Sequence, residues 1–225
     1  MIKNSLILLL LALTSCDNSG LNSYSFPNDS VKVSQQKVSL AGNETFRKIE
    51  IGCDTIYKGK GYKLILVLID STNEDETIPN SLFTLSKLVN EKYVTIFSDS
   101  VFNKVQEVLF ADYNNDGVKD ILVQNISDAR SNWTYYLYLV DTIENRLKKI
   151  RHFNEIKNPN FLSEYNLIDN YVMSGQNWTS FYKINEDSVK DYGIVIYDNQ
   201  TDDGKYERDY RKAINRILMT EKNNR

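Results

Sequence analysis

Residues 107–123 read EVLFADYNNDGVKDILV, two short apolar runs separated by a loop dense in carboxylates and amides. Such a stretch must fold back on itself, because Asn115-Asp116-Gly117 is a strong reversal signal between runs of strand-forming residues. The polar residues are also phased. Asp112, Asn114, Asp116 and Asp120 stand at positions 1, 3, 5 and 9 of a calcium loop, Gly117 at position 6, and the carbonyl of Val118 at position 7. Ca²⁺ takes about six to eight oxygens, and alternate side chains of a tightly curled loop can converge on one point. Gly117 permits the turn, since a Cβ opposes the positive φ such loops use. A bare hairpin accounts for the reversal but does not require oxygen-bearing side chains at each of these positions.

Position 12, where a helical calcium loop carries a bidentate Glu, is Val123, inside the apolar run ILV. The loop is therefore expected between two strands, with the weak affinity of extracellular sites, a Kd on the order of 10⁻⁴ to 10⁻³ M.

The chain begins MIKNSLILLLLALTSC, with Lys3 ahead of an apolar run shorter than the roughly 20 residues a membrane span needs. Residues 1–15 read as a secretory signal peptide. Leu13-Thr14-Ser15-Cys16 resembles the bacterial lipobox, which implies lipidation of Cys16 and places the remainder on a membrane surface in the cell envelope. Residues 16–35 are polar and turn-rich, suited to a tether, and residues 36–225 are expected to form a single domain.

With Cys16 given to lipid, Cys53 is the only other cysteine, so no intramolecular disulfide is expected. Ile49, Ile51, Cys53, Thr55 and Tyr57 alternate, which predicts one strand over 46–57 with Cys53 in the core. The net charge of −3 gives no basic surface for nucleic acid. Fifteen Tyr and nine Phe favour strands over disorder.

Further strands are expected at 62–70, 92–97, 104–111, 118–125, 133–140, 171–174, 178–184 and 192–197, joined by turn clusters that suit antiparallel pairing. Residues 81–90 fit either a helix or a strand. Tyr206, Tyr210, Ile214, Ile217 and Leu218 are at helical spacing and predict a C-terminal amphipathic helix over 206–219. The fold class is mainly β: an antiparallel β-sandwich or distorted barrel, with an EF-hand-like calcium loop between two strands and a terminal helix.

The spacing of Asp112, Asn114, Asp116, Gly117 and Asp120 resembles the DxNxDGxxD signature of FG-GAP and VCBS-type extracellular β proteins. Such repeats build propellers from many copies, whereas this chain carries one. Downstream, the order WTYYLYLV, HFNEIKNPNF, YVMSGQNWTSFYKI and IVIYD is similar to calcium-loop periplasmic lysozyme inhibitors of the invertebrate-type class, including immunity proteins against peptidoglycan hydrolases, over residues 36–200. The resemblance implies inhibition by a loop carrying Ser-Gly-x-x-Tyr, placed in the hydrolase cleft. Ser174, Gly175 and Trp178 match that motif with Trp in place of Tyr, which exchanges a hydroxyl for a larger apolar face and one N–H. The same residues also suit a plain hairpin turn followed by a strand tryptophan packed on Tyr182.

Catalytic signals are sparse. A lone His152 cannot supply a multi-histidine zinc site, and no GxSxG elbow is present. Asn132-Trp133-Thr134 and Asn177-Trp178-Thr179 match glycosylation sequons but reflect an Asn-rich composition. The expectation is a non-enzymatic, Ca²⁺-binding lipoprotein whose partner is a lysozyme-like peptidoglycan hydrolase. The alternative is a carbohydrate-binding or structural envelope module using Trp133 and Trp178 as sugar platforms.

Overall fold

The computed structural model describes residues 36–37, 47–57, 61–200 and 203–223. The signal peptide, Cys16 and the tether lie outside these residues. Strands β1 (Gln36–Lys37), β2 (Arg47–Gly52), β3 (Tyr62–Leu68), β4 (Ser81–Val89) and β5 (Lys92–Val101) form a first sheet. A second contains β6 (Val108–Ala111), β7 (Asp120–Ser127), β8 (Trp133–Asp141) and β9 (Arg146–Ile150). The third contains β10 (Pro159–Leu162), β11 (Leu167–Asn170), β12 (Asn177–Asn185) and β13 (Ser188–Asp198), and the chain continues into α1 (Lys205–Asn223). Every sheet is an antiparallel meander in which sequence neighbours are hydrogen-bonded neighbours.

The sheets stack in chain order because successive side chains of a strand leave by opposite faces. Ile49, Leu64, Leu66, Phe83 and Leu85 of the first sheet meet Val108, Phe110, Ile121, Val123 and Tyr138 of the second. The alternate residues Leu109, Leu122 and Leu137 leave by the opposite face and meet Ile168 and Tyr182 of the third. Leu167, Phe181 and Ile196 then pack on Ala213, Ile214 and Ile217 of α1. The second sheet is thus covered on both faces, which is why β7 opens with six consecutive buried residues instead of alternating. At about 1.5–3 kcal/mol for each large apolar side chain taken from water, these three interfaces dominate the stability of the fold. The layering is that of a sandwich, with a third sheet and a helix added, and no sheet closes into a barrel among the described residues.

Several local expectations change. The alternation of 46–57 does not persist as a strand, because β2 ends at Gly52 and Cys53–Thr55 form a single 3₁₀ turn. Cys53 and Tyr57 remain buried, but Thr55 is exposed, as a turn requires. Residues 81–90 resolve as strand β4, with Phe83 and Leu85 inward. The expected strand at 171–174 is a loop with one bridge, Val172 to Trp178. Strands β9, β10 and β11 are additional; β9 reads RLKKI and buries only Leu147 and Ile150. In α1 Leu218 faces outward, and Ala213 takes its place in the core.

Candidate metal centre and the hairpin of residues 173–177

The loop of residues 112–119 joins β6 to β7, which pair from Ala111 with Asp120 to Val108 with Val123. It is a strand–loop–strand unit, as Val123 at position 12 requires. Asp112 organises it from the first position. Its Oδ1 accepts from the N–H of Asn114 at 3.2 Å and of Asn115 at 2.6 Å, and its Oδ2 accepts from the N–H of Gly117 at 2.9 Å. Asn114 Oδ1 accepts from Asp116 N–H at 3.1 Å, and Asp116 Oδ1 from Val118 N–H at 2.7 Å. Asn114 Nδ2 donates to Asp116 Oδ2 at 2.8 Å, which brings the side chains at positions 3 and 5 together. Asn115 and Gly117 have φ of 61° and 82°; a Cβ on Gly117 would meet nothing within 4 Å, so conformation rather than space selects glycine there.

Asp120 is fully buried behind this loop. Its Oδ2 accepts from Tyr113 N–H at 2.8 Å and its Oδ1 from Val140 N–H at 3.0 Å, tying the loop to β8. Burial pushes the carboxyl up to about 7, against the pull of those two donors, and the charges of Asp116 and Asp112 push the same way. Among the described residues no lysine, arginine or histidine bonds to it. Tyr57 OH donates to the Lys119 carbonyl at 2.6 Å, anchoring the other flank of the loop to the segment that follows the 3₁₀ turn after β2.

Among the described residues no group of three or more His, Cys, Asp or Glu side chains gathers as a metal-holding cluster. The oxygens offered by the loop are instead mixed: the carboxylates of Asp112 and Asp116, the Asn114 amide and the Val118 carbonyl, with Asp120 behind them. Such a set suits a hard cation, and the buried, uncompensated Asp120 carboxylate is the feature a cation would relieve.

Ser174 and Gly175 lie between β11 and β12, and Trp178 is the second residue of β12. Val172 and Trp178 exchange both backbone hydrogen bonds, at 2.8 and 3.2 Å, so residues 173–177 form a hairpin end. Met173, Gly175 and Gln176 are exposed. Ser174 Oγ bonds to the Gln176 carbonyl, and Ser174 N–H donates to Asn177 Oδ1 at 3.0 Å, so the serine is engaged within the turn. Trp178 stands behind the tip, half-buried, directly opposite Tyr197 of β13. Trp133 is half-buried against the second core, which ties its ring to packing.

A polar hub that the sequence did not single out holds this hairpin. Asn132, 2% exposed, donates through Nδ2 to the Met173 carbonyl and accepts through Oδ1 from Met173 N–H, both at 2.8 Å. Asn132 Nδ2 also bonds Asp128 Oδ2 at 2.8 Å. Asn158 Nδ2 donates to Asn132 Oδ1 at 3.0 Å and to the Tyr171 carbonyl at 2.9 Å. Desolvation would raise the Asp128 carboxyl, but the bonds from Asn132 and Lys157 outweigh it and hold the group well below the usual carboxylate range. The one available signal was the first sequon, whose asparagine is a buried fastener rather than an exposed acceptor.

The remaining reactive groups are placed away from these features. His152 is exposed at φ 64°, with Nδ1 2.8 Å from Glu155 Oε1. Cys53 is a free, fully buried thiol pushed up to about 11 by desolvation, the state of an inert core residue. No helix among the described residues is long and apolar enough to cross a membrane.

No family model matches the chain, and no curated protein matches it. Among solved structures the chain is similar to one described as "Structure of a Xanthomonas Type IV Secretion System related protein", with 14% identity over 76% of this chain and 90% of that one. The TM-score is 0.45, a likeness that assigns neither fold nor function.

Proposed function

We propose that this chain is a calcium-binding, lipid-anchored protein of the cell envelope that acts by binding rather than catalysis, with a lysozyme-like peptidoglycan hydrolase as its target. The observation that carries the metal half of this reading is Asp120, a buried carboxylate with acidic residues before it and no cationic partner among the described residues. Asp112, Asn114, Asp116, the Val118 carbonyl and Asp120 would hold the ion. When bound, Ca²⁺ supplies positive charge that offsets these carboxylates. Asp112 and Asp116 keep the loop curled through their own backbone bonds, and Asp120 fixes it to β8. The hydrolase contact belongs to the hairpin of Ser174 and Gly175, with Trp178 as the half-exposed ring behind it. Pinning by Asn132 supports this use, because a loop ordered before binding costs less to order on binding.

Calcium titration of metal-free protein tests the first half. The thermal midpoint should rise with Ca²⁺ concentration, as for any ligand that binds only the folded state, and Asp112→Ala should abolish the rise. A flat response in the wild type would leave the loop a plain turn. For the second half, Trp178→Ala should cost about 2 kcal/mol of affinity for a lysozyme-like hydrolase. Unaltered affinity would remove this hairpin from the contact. Cys16→Ser should abolish fatty-acid incorporation, and persistent labelling would end the lipoprotein reading.

A further inference from the structure

The third sheet ends in β13, whose second half is built for pairing. Trp178 directs both of its backbone groups to Val172, and Ser180 N–H donates to Asn170 Oδ1 at 2.7 Å, so these β12 residues turn away from β13. Tyr197 lies opposite Trp178, and Val195 opposite Ser180. In an antiparallel ladder both are then non-hydrogen-bonded pairs, and Tyr197 and Val195 must direct their own N–H and C=O to the open side. No hydrogen bond from another described residue reaches those groups.

The same two residues expose their side chains, Val195 by 46% and Tyr197 by 52%. They line a groove shared with Gln176, Asn199, Lys205 and Asp209. Lys205 and Asp209 pair with each other at 2.7 Å, so neither opposes an incoming strand with an unpaired charge. Edges are ordinarily guarded by lysine, proline or a bulge. Residues 190–193 have such guards: Lys190 is present, the register jumps, and Gly193, at φ 65°, donates its N–H to Asp191 Oδ1 at 2.7 Å. Ile194-Val195-Ile196-Tyr197 has none.

The spacing of the outward groups is self-complementary. Val195 and Tyr197 flank Ile196, so a two-fold axis at Ile196 sets Val195 against Tyr197 of a second copy and Tyr197 against its Val195. Both meetings are hydrogen-bonded pairs, and each places a β-branched side chain beside an aromatic one on the same sheet face, a favourable cross-strand combination. This is the isologous arrangement a closed dimer needs.

We propose that Ile194–Tyr197 of β13 is the interface for a second copy of this chain, joining two third sheets edge to edge. The inference does not depend on the metal or the hydrolase. Sedimentation of the full chain in excess detergent, over about 1 to 100 µM, reads it directly, with wild type expected to move from monomer to dimer. Val195→Pro removes an outward N–H without touching a bond to β12, and Tyr197→Lys installs a guard. Each should weaken association at least tenfold while leaving the circular dichroism spectrum and the thermal midpoint of the monomer near wild type. The lysine variant still decides the matter if the proline variant folds poorly. A wild type that stays monomeric, one that forms open-ended aggregates, or a dimer that survives Tyr197→Lys would overturn the proposal.

Discussion

The two loops that carry the proposed function are held in opposite ways. In residues 112–119 the bonds that curl the loop are local: Asp112 holds the N–H groups of Asn114, Asn115 and Gly117, and Asp116 holds that of Val118, while Tyr57 on the Lys119 carbonyl and Tyr113 on the Pro159 carbonyl tie its flanks to other parts of the fold. The hairpin of residues 173–177 takes part of its order from far away, since Asn132 lies 41 positions from Met173, the residue whose backbone it fixes. A loop that contains its own fasteners can be altered without moving its neighbours. One fastened from another sheet fails when that sheet changes.

The largest effect should come from the remote fastener. Asn132→Ala strips partners from Met173 N–H and C=O, from Asn158 and from Asp128 together, and should cost about 2 kcal/mol in chemical denaturation, the sum of several bonds at about 1 kcal/mol or less each, because the exposed Met173 and Asp128 can turn partly to water. The same variant should loosen amide exchange at 173–177 while leaving the calcium response intact. Asp112→Ala comes next, with a loss of about 1 kcal/mol in metal-free protein, since the freed N–H groups can turn to water. Its calcium response should disappear while amide protection at 173–177 stays unchanged. In the double variant the two losses should add within about 0.5 kcal/mol, as for sites with no shared partner. A larger coupling would erase the distinction between the loops.

The smallest effect concerns a third fastening, which serves the helix. Glu221 of α1 accepts from Lys183 at 2.8 Å, and from Lys190 at 2.9 Å and Tyr192 at 2.8 Å, contacts that bring its carboxyl down to about 2 from an ordinary value near 4.5. A depressed folded value means the contribution is whole above the unfolded value and disappears as pH falls through the folded one. Wild-type stability should therefore decline between about pH 4.5 and 2 by more than that of Glu221→Gln, as urea titrations across that window would register. Equal slopes would show that these contacts add nothing to helix docking.

The same local and distant division decides what could be read from the chain. The curl of the 112–119 loop was legible because the bonds that make it run between residues a few positions apart, so spacing encodes its geometry; the ties of Asp120 to Val140 and of Lys119 to Tyr57 were not. Helix α1 was legible through periodicity, although a five-residue apolar stripe could not distinguish the inward Ala213 from the outward Leu218. Strand β9 was not, because an edge strand needs only Leu147 and Ile150 inward and can be otherwise charged. Strand β11 was hidden for a different reason: half of it is Asp169 and Asn170, both buried. Asp169 accepts from Tyr210 OH and Asn160 Nδ2, partners 41 and 9 positions away that no single-strand pattern announces. Trp178 matched a motif, but its depth depends on β13 opposite it, which the motif does not contain.

Stacking the meanders in chain order has a consequence for how the molecule comes together and apart. Each sheet is completed by strands adjacent in sequence, so its ladder needs no segment made later, and the face it offers is covered by whatever follows. Chains with such short-range pairing close small loops first and are fast to fold for all-β proteins. A chain emerging from its N-terminus can therefore settle one layer at a time, and a pull on the C-terminus would peel the layers in reverse, with α1 leaving first and uncovering Phe181 and Ile196.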